Sequence, residues 1–187
     1  IIVAENTSQD IRLTLGGGNV VTLPEKGSAT LIQNDSLAIE NDGDASLSYQ
    51  AQYSEKTLEY NTLDIPRTKN YRLTLSDGTS VYLNSDTRIR FPKAFPKKER
   101  KIFLEKGEAY FEVAHNAHSP FIVETNGTEI KVLGTIFNIA AYPEANVATT
   151  LVSGKVEVIA ANQTVTLAPG QQAVAKNDML AVARVDL

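Results

Sequence analysis

The sequence predicts an all-β protein: many short, mainly antiparallel strands in a twisted sandwich or solenoid-like β structure with an internal duplicated hairpin. Three observations predict it. Turn pairs separate the strand stretches, at Asp77-Gly78, Lys106-Gly107, Asn126-Gly127, Ser153-Gly154 and Pro169-Gly170, and turn signals of all kinds recur about every ten residues. Between them lie β-branched and aromatic stretches in which apolar and polar residues alternate, the period of a half-buried strand. No long window keeps a 3.6-residue period with helix caps.

Taken in chain order, the first element is one half of a repeat. Residues 11–23 read IRLTLGGGNVVTL and residues 71–83 read YRLTLSDGTSVYL, with seven of 13 positions identical at an offset of 60. The coincidence includes Arg12/Arg72 and Thr14/Thr74 as well as the leucines, which favours duplication over a chance recurrence. Each copy reads as a hairpin, with Gly16-Gly17-Gly18 or Asp77-Gly78 supplying the positive φ of the turn. An extended segment around Tyr60–Arg67 joins the copies, and Pro66 biases Ile65 toward extended geometry. The expected division is a smaller β lobe over 1–65 and a main β domain over 66–187. In the latter the strand candidates are Lys101–Leu104, Ala109–Ala114, Phe121–Thr125, Glu129–Leu133, Ile136–Ala141, Ala148–Leu151 and Lys155–Ile159.

Composition bounds the function. The chain has 187 residues, 42% hydrophobic and 21% charged, enough for one domain or two small ones with a real core. A net charge of -4 is no electrostatic footprint for nucleic acid or an anionic membrane. With no cysteine, thiol nucleophiles, disulfides and cysteine-ligated metals are excluded. No apolar run approaches the ~20 residues of a membrane span. The opening Ile1-Ile2-Val3-Ala4 lacks an initiator methionine and a leader pattern, so the chain reads as a segment of something longer.

Few residues offer chemistry. Gly16-Gly17-Gly18 is followed by a strand pattern and lacks the Lys-Ser/Thr pair of a phosphate loop. His115 and His118, with Glu112 or Glu108, are the one metal-like grouping, and they read as a polar turn ending at Pro120. Glu105, Glu108 and Glu112 invite a glycosidase reading, but Glu108 and Glu112 on one strand face stand about 13 Å apart, too far for such a pair. The run Lys93–Lys101 reads as a solvated connection. Gly134-Thr135 is the candidate for self-cleavage. A strained Gly-Thr bond lets the threonine hydroxyl attack the preceding carbonyl in an N–O acyl shift, but no oxyanion partner is visible in the sequence.

Five segments, in order, resemble the periplasmic domain of FecR-type sigma regulators: YRLTLSDGTSVYLNSDTRIRFP, IFLEKGEAYFEVA, PFIVET, VLGTIFNI and LAPGQQA, spanning about 66–175. Residues 1–65 resemble the β segment that precedes this domain in the Bacteroidetes branch of the family. The resemblance implies the periplasmic portion of a single-pass inner-membrane anti-sigma factor. Its signal would come from the signalling domain of an outer-membrane TonB-dependent transporter. An extracytoplasmic-function sigma factor would be bound only by a cytoplasmic region outside this chain, and the membrane crossed only by a helix outside it. No cofactor, metal or nucleic acid is implied. Some family members are cleaved at a Gly-Thr bond in the motif that VLGTIFNI matches, which falls on Gly134-Thr135. The alternative is a carbohydrate-binding β-sandwich, which seven tyrosines permit and the lack of tryptophan disfavours. Glycan binding by the isolated chain would favour that alternative, and association with a transporter signalling domain would favour the relay.

Overall fold

The computed structural model describes residues 9–34, 37–53, 58–176 and 179–187, so Ile1–Ala4 lies outside the described residues. Within them the alternating pattern becomes strands and no helix forms. The strands are β1 (Ile11–Thr14), β2 (Val20–Leu23), β3 (Lys26–Asn34), β4 (Leu37–Asp44), β5 (Ser46–Ala51), β6 (Tyr60–Ile65), β7 (Tyr71–Thr74), β8 (Ser80–Leu83) and β9 (Thr87–Pro92). They continue as β10 (Arg100–Glu112), β11 (Phe121–Thr125), β12 (Thr128–Val132), β13 (Ile136–Ala141) and β14 (Val147–Ser153). The last are β15 (Val156–Ala160), β16 (Gln163–Leu167), β17 (Gln171–Lys176) and β18 (Met179–Arg184).

Pairing arranges these as two curled sheets that share β10. One sheet runs β2-β1-β6-β9-β10-β11-β12-β15-β16. The other runs β3-β4-β5-β7-β8-β10-β13-β14-β17-β18. Among the described residues only β5–β7 and β10–β11 pair in parallel. The segment Tyr60–Ile65, expected as a connection, is a full strand between β1 and β9, and β5 lies beside β7.

One expected turn is not a turn. Lys106-Gly107 lies inside β10, so the candidates Lys101–Leu104 and Ala109–Ala114 belong to one strand that ends at Glu112. The register slips between Leu104 and Lys106, and Gly107 takes φ +98°, bending β10 from one sheet into the other. A β-carbon at Gly107 would lie 2.5 Å from Thr87 Cα, so only glycine fits. Thr87 Oγ1 then accepts the Glu108 N–H at 3.0 Å, which fixes the bend.

The duplicated hairpins share one geometry. In the first, Leu13 faces Val21 and Ile11 faces Leu23; in the second, Leu73 faces Val81 and Tyr71 faces Leu83. Their turns close alike, Leu15 N to Asn19 O at 2.8 Å and Leu75 N to Thr79 O at 2.9 Å, with Gly18 at φ +86° and Gly78 at +85°. The first hairpin belongs to the first sheet and the second to the other, and their inward residues meet in one core with Phe91, Phe111, Phe121 and Phe137. Phe111 and Phe137 stack at 4.9 Å.

Candidate functional site

The best-defined polar site forms where β10 begins. Asp77 occupies the tip of the second hairpin and accepts the Thr79 N–H at 3.0 Å and the Thr79 hydroxyl at 2.8 Å, an Asx turn that fixes its carboxylate. Arg100 meets that carboxylate at 2.8 Å and is itself only 3% exposed. The expectation of a solvated Lys93–Lys101 connection is therefore corrected at Arg100. Its position in the strand explains why: Arg100, Ile102 and Leu104 share the inward face, so the guanidinium is carried under the surface.

A buried cation persists only with its donors occupied. Arg100 Nε donates to the Ser119 carbonyl at 2.9 Å, Nη1 to the Ala114 carbonyl at 2.7 Å and Nη2 to the Leu133 carbonyl at 3.3 Å. The guanidinium carbon also stands 5.4 Å from the centre of the Phe121 ring. Thr79 completes the arrangement, its hydroxyl oxygen accepting the Ala114 N–H at 3.1 Å. One side chain thus ties the hairpin tip, both ends of the 114–120 loop and the residue before Gly134. A groove of about 280 Å³ lies over this junction, lined by Tyr53, Ser76, Phe95, Lys97 and Asn116 among others.

Gly134-Thr135 adjoins the junction. The Leu133 carbonyl accepts Asn116 N–H at 2.8 Å, the Thr135 carbonyl accepts Val113 N–H at 3.0 Å, and Thr135 Oγ1 donates to the Lys155 carbonyl at 3.0 Å. Thr135 is buried. The kink expected at this glycine is displaced: Gly134 is not among the positive-φ residues, and the register slips between Ile136 and Phe137 instead. Glycine is required here by packing, since a β-carbon would lie 2.6 Å from His115 Cα and 2.7 Å from His115 Nδ1. No sequence signal links His115 to Gly134.

The remaining candidates are placed as follows. Gly16-Gly17-Gly18 forms the first hairpin's turn, with Gly16 N–H donating to Asn61 Oδ1 at 3.0 Å. His118 is exposed, its own N–H held by Asn116 Oδ1 at 3.0 Å, and among the described residues no group of three or more potential metal ligands converges. Glu105 pairs with Arg90 at 3.2 Å. Glu108 is occupied by the amides of Asn84 at 3.0 Å and Asn138 at 2.8 Å. In the basic run, Lys93 pairs with Glu59 and Lys101 with Glu124, which leaves Lys97 and Lys98 on the surface.

The FecR protein family matches residues 61–157, more than half of the chain, and the match contains Asp77, Arg100, Gly134 and Thr135. The chain belongs to the FecR family. It is also similar to two crystal structures, each of a putative anti-sigma factor from Parabacteroides distasonis, at 34% identity with TM-scores of 0.65 and 0.64. The alignments cover 68% and 67% of this FecR chain, and 61% and 60% of the other two chains. No curated protein matches. Arg100 lies within the FecR match, in a run that by its charge alone reads as solvated.

Proposed function

We propose that this chain is the periplasmic signal-relay part of a membrane-bound anti-sigma factor. It receives a signal from the signalling domain of a TonB-dependent outer-membrane transporter and controls an extracytoplasmic-function sigma factor through a cytoplasmic region joined by one membrane helix. The FecR match over 61–157 carries this reading, and the likeness to anti-sigma factors from Parabacteroides distasonis supports it. Relay requires a scaffold that does not dissipate movement among loose segments, and the Arg100 junction couples three otherwise separate loops. The test is transcription from a sigma-dependent promoter in cells carrying the full-length protein with or without residues 9–187. Loss of transporter-dependent induction on deletion supports the relay. Unchanged induction overturns it.

The contact between His115 and Gly134 favours a second reading, self-cleavage at Gly134-Thr135. In that reaction Thr135 Oγ1 bonds to the Gly134 carbonyl carbon, the Gly134–Thr135 C–N bond breaks, and the hydroxyl proton passes to the departing nitrogen. Water then hydrolyses the ester to a Gly134 carboxylate and a free Thr135 amine. His115 would carry the proton, a partner absent from the sequence pattern. The intact mass of wild type, Thr135→Ala and His115→Gln, followed over days, decides the matter. Two fragments meeting at this bond in wild type alone support cleavage; a single stable species in all three removes it.

A further inference from the structure

The duplicated hairpin contains its own control. In the second copy, β8 is covered along its outer edge by β10, with Ser80 opposite Glu112, Val81 opposite Phe111, Tyr82 opposite Tyr110 and Leu83 opposite Ala109. In the first copy, β2 pairs with β1 and, among the described residues, with nothing else. The registers of the two hairpins are the same, so the same backbone groups point outward. The Leu15–Asn19 bond makes Leu13–Val21 and Ile11–Leu23 the mutually bonded pairs, and the N–H and C=O of Val20 and Thr22 face away from β1. Ser80 and Tyr82 present the equivalent groups to β10.

Side chains repeat the difference. Leu75 is 1% exposed and Val81 0%, whereas their counterparts Leu15 and Val21 are only half-buried, and Val20 is 58% exposed. The covering residue in the second copy is Phe111, opposite Val81 and fully buried. The first copy lacks its equivalent. Of the other open edges, β16 presents mostly exposed polar residues, and neither β3 nor β18 has an occupied counterpart elsewhere in the fold.

We infer that the outer edge of β2 is a docking edge that takes an extended strand of another polypeptide. The strand adds antiparallel in the register of β10 on β8, with a large apolar residue facing Val21 and polar residues on the alternate positions. The occupied copy dictates this chemistry, so the occupant is a strand of a different protein that carries the apolar–polar alternation of β10; the inference goes beyond the relay reading and does not depend on sigma control.

The test uses the purified chain and a synthetic peptide carrying the β10 sequence Gly107–Val113. Amide exchange should slow at least ~10-fold at Val20 and Thr22 in the presence of saturating peptide. Thr22→Pro removes an outward N–H without touching the β1–β2 bonds, so it should abolish binding while leaving the melting temperature nearly unchanged. Val20→Pro serves the same purpose if Thr22→Pro does not fold. Protection at β3, β16 or β18 instead, no binding at all, or a dimer joined through β2 without peptide would each overturn the inference.

Discussion

Arg100 donates to Asp77 at 2.8 Å across 23 residues of chain, and both groups are largely withdrawn from solvent. Removing the cation alone strands a carboxylate and three carbonyls. Arg100→Met should therefore cost about 3–5 kcal/mol in urea unfolding. Arg100→Lys should recover little, because one ammonium lacks the planar fork that reaches several acceptors at once. A loss under ~1 kcal/mol, the scale of an exposed pair, would show that the junction does not hold these loops.

Glycines 107 and 78 both have positive φ, at +98° and +85°, but only one is crowded. Gly78→Ala meets nothing within 4 Å and should cost only the conformational penalty, about 1–2 kcal/mol. Gly107→Ala drives a methyl group into the Thr87 backbone and should cost more than ~4 kcal/mol, or prevent folding. Equal melting temperatures for the two variants would contradict the packing at the bend.

His115 and Gly134 should be coupled in stability. Gly134→Ala alone should be strongly destabilising. His115→Gly should rescue it in part, because the imidazole and Cβ disappear while the Cα, 2.6 Å from the new methyl group, remains. A double-mutant cycle measures this coupling, and strict additivity would mean that the two residues do not touch.

Alkaline stability follows from the tyrosines. Burial pushes the Tyr49 hydroxyl well above its ordinary value of 10.0, against a smaller opposing effect of the Asn61 hydrogen bond. Tyr142 is raised by burial and then by Glu108 and Asp86. A raised pKa favours the protonated folded state, so this contribution is complete below about pH 10 and lost as pH rises beyond it. Phenolate absorbance should show Tyr49 ionising only with unfolding. Tyr49→Phe should flatten the alkaline fall in stability, while losing about 1–3 kcal/mol at neutral pH because the Asn61 amide at 2.7 Å loses its acceptor.

Much of the fold could be read from residue order because strand burial repeats every second residue. The hairpins at 11–23 and 71–83 appear where their sequences place them, turning at the expected glycines. What escaped depends on distant neighbours. Gly107 favours positive φ in a turn or in a bend alike, and only Thr87, 20 residues away, makes it a bend. Arg100 sits in a run that looks solvated. One signal could have found it, since it keeps phase with Ile102 and Leu104. Gly134 stands out in the sequence for its bond to Thr135, whereas the packing of His115 on it comes from a loop that no periodicity describes.

The position of β6 has a consequence for how the chain comes together. In chain order β1 and β2 of the first sheet are followed by β3, β4 and β5 of the other, and β6 then returns to pair with β1. The pairing Leu13–Leu63 therefore closes a loop of some fifty residues, and β9 must then be added on the far side of β6. Such distant pairings place folding in the millisecond-to-second range rather than the microsecond range. Until β6 arrives, the backbone of β1 stands open on that side, and any copy of the chain met in that interval can take its place.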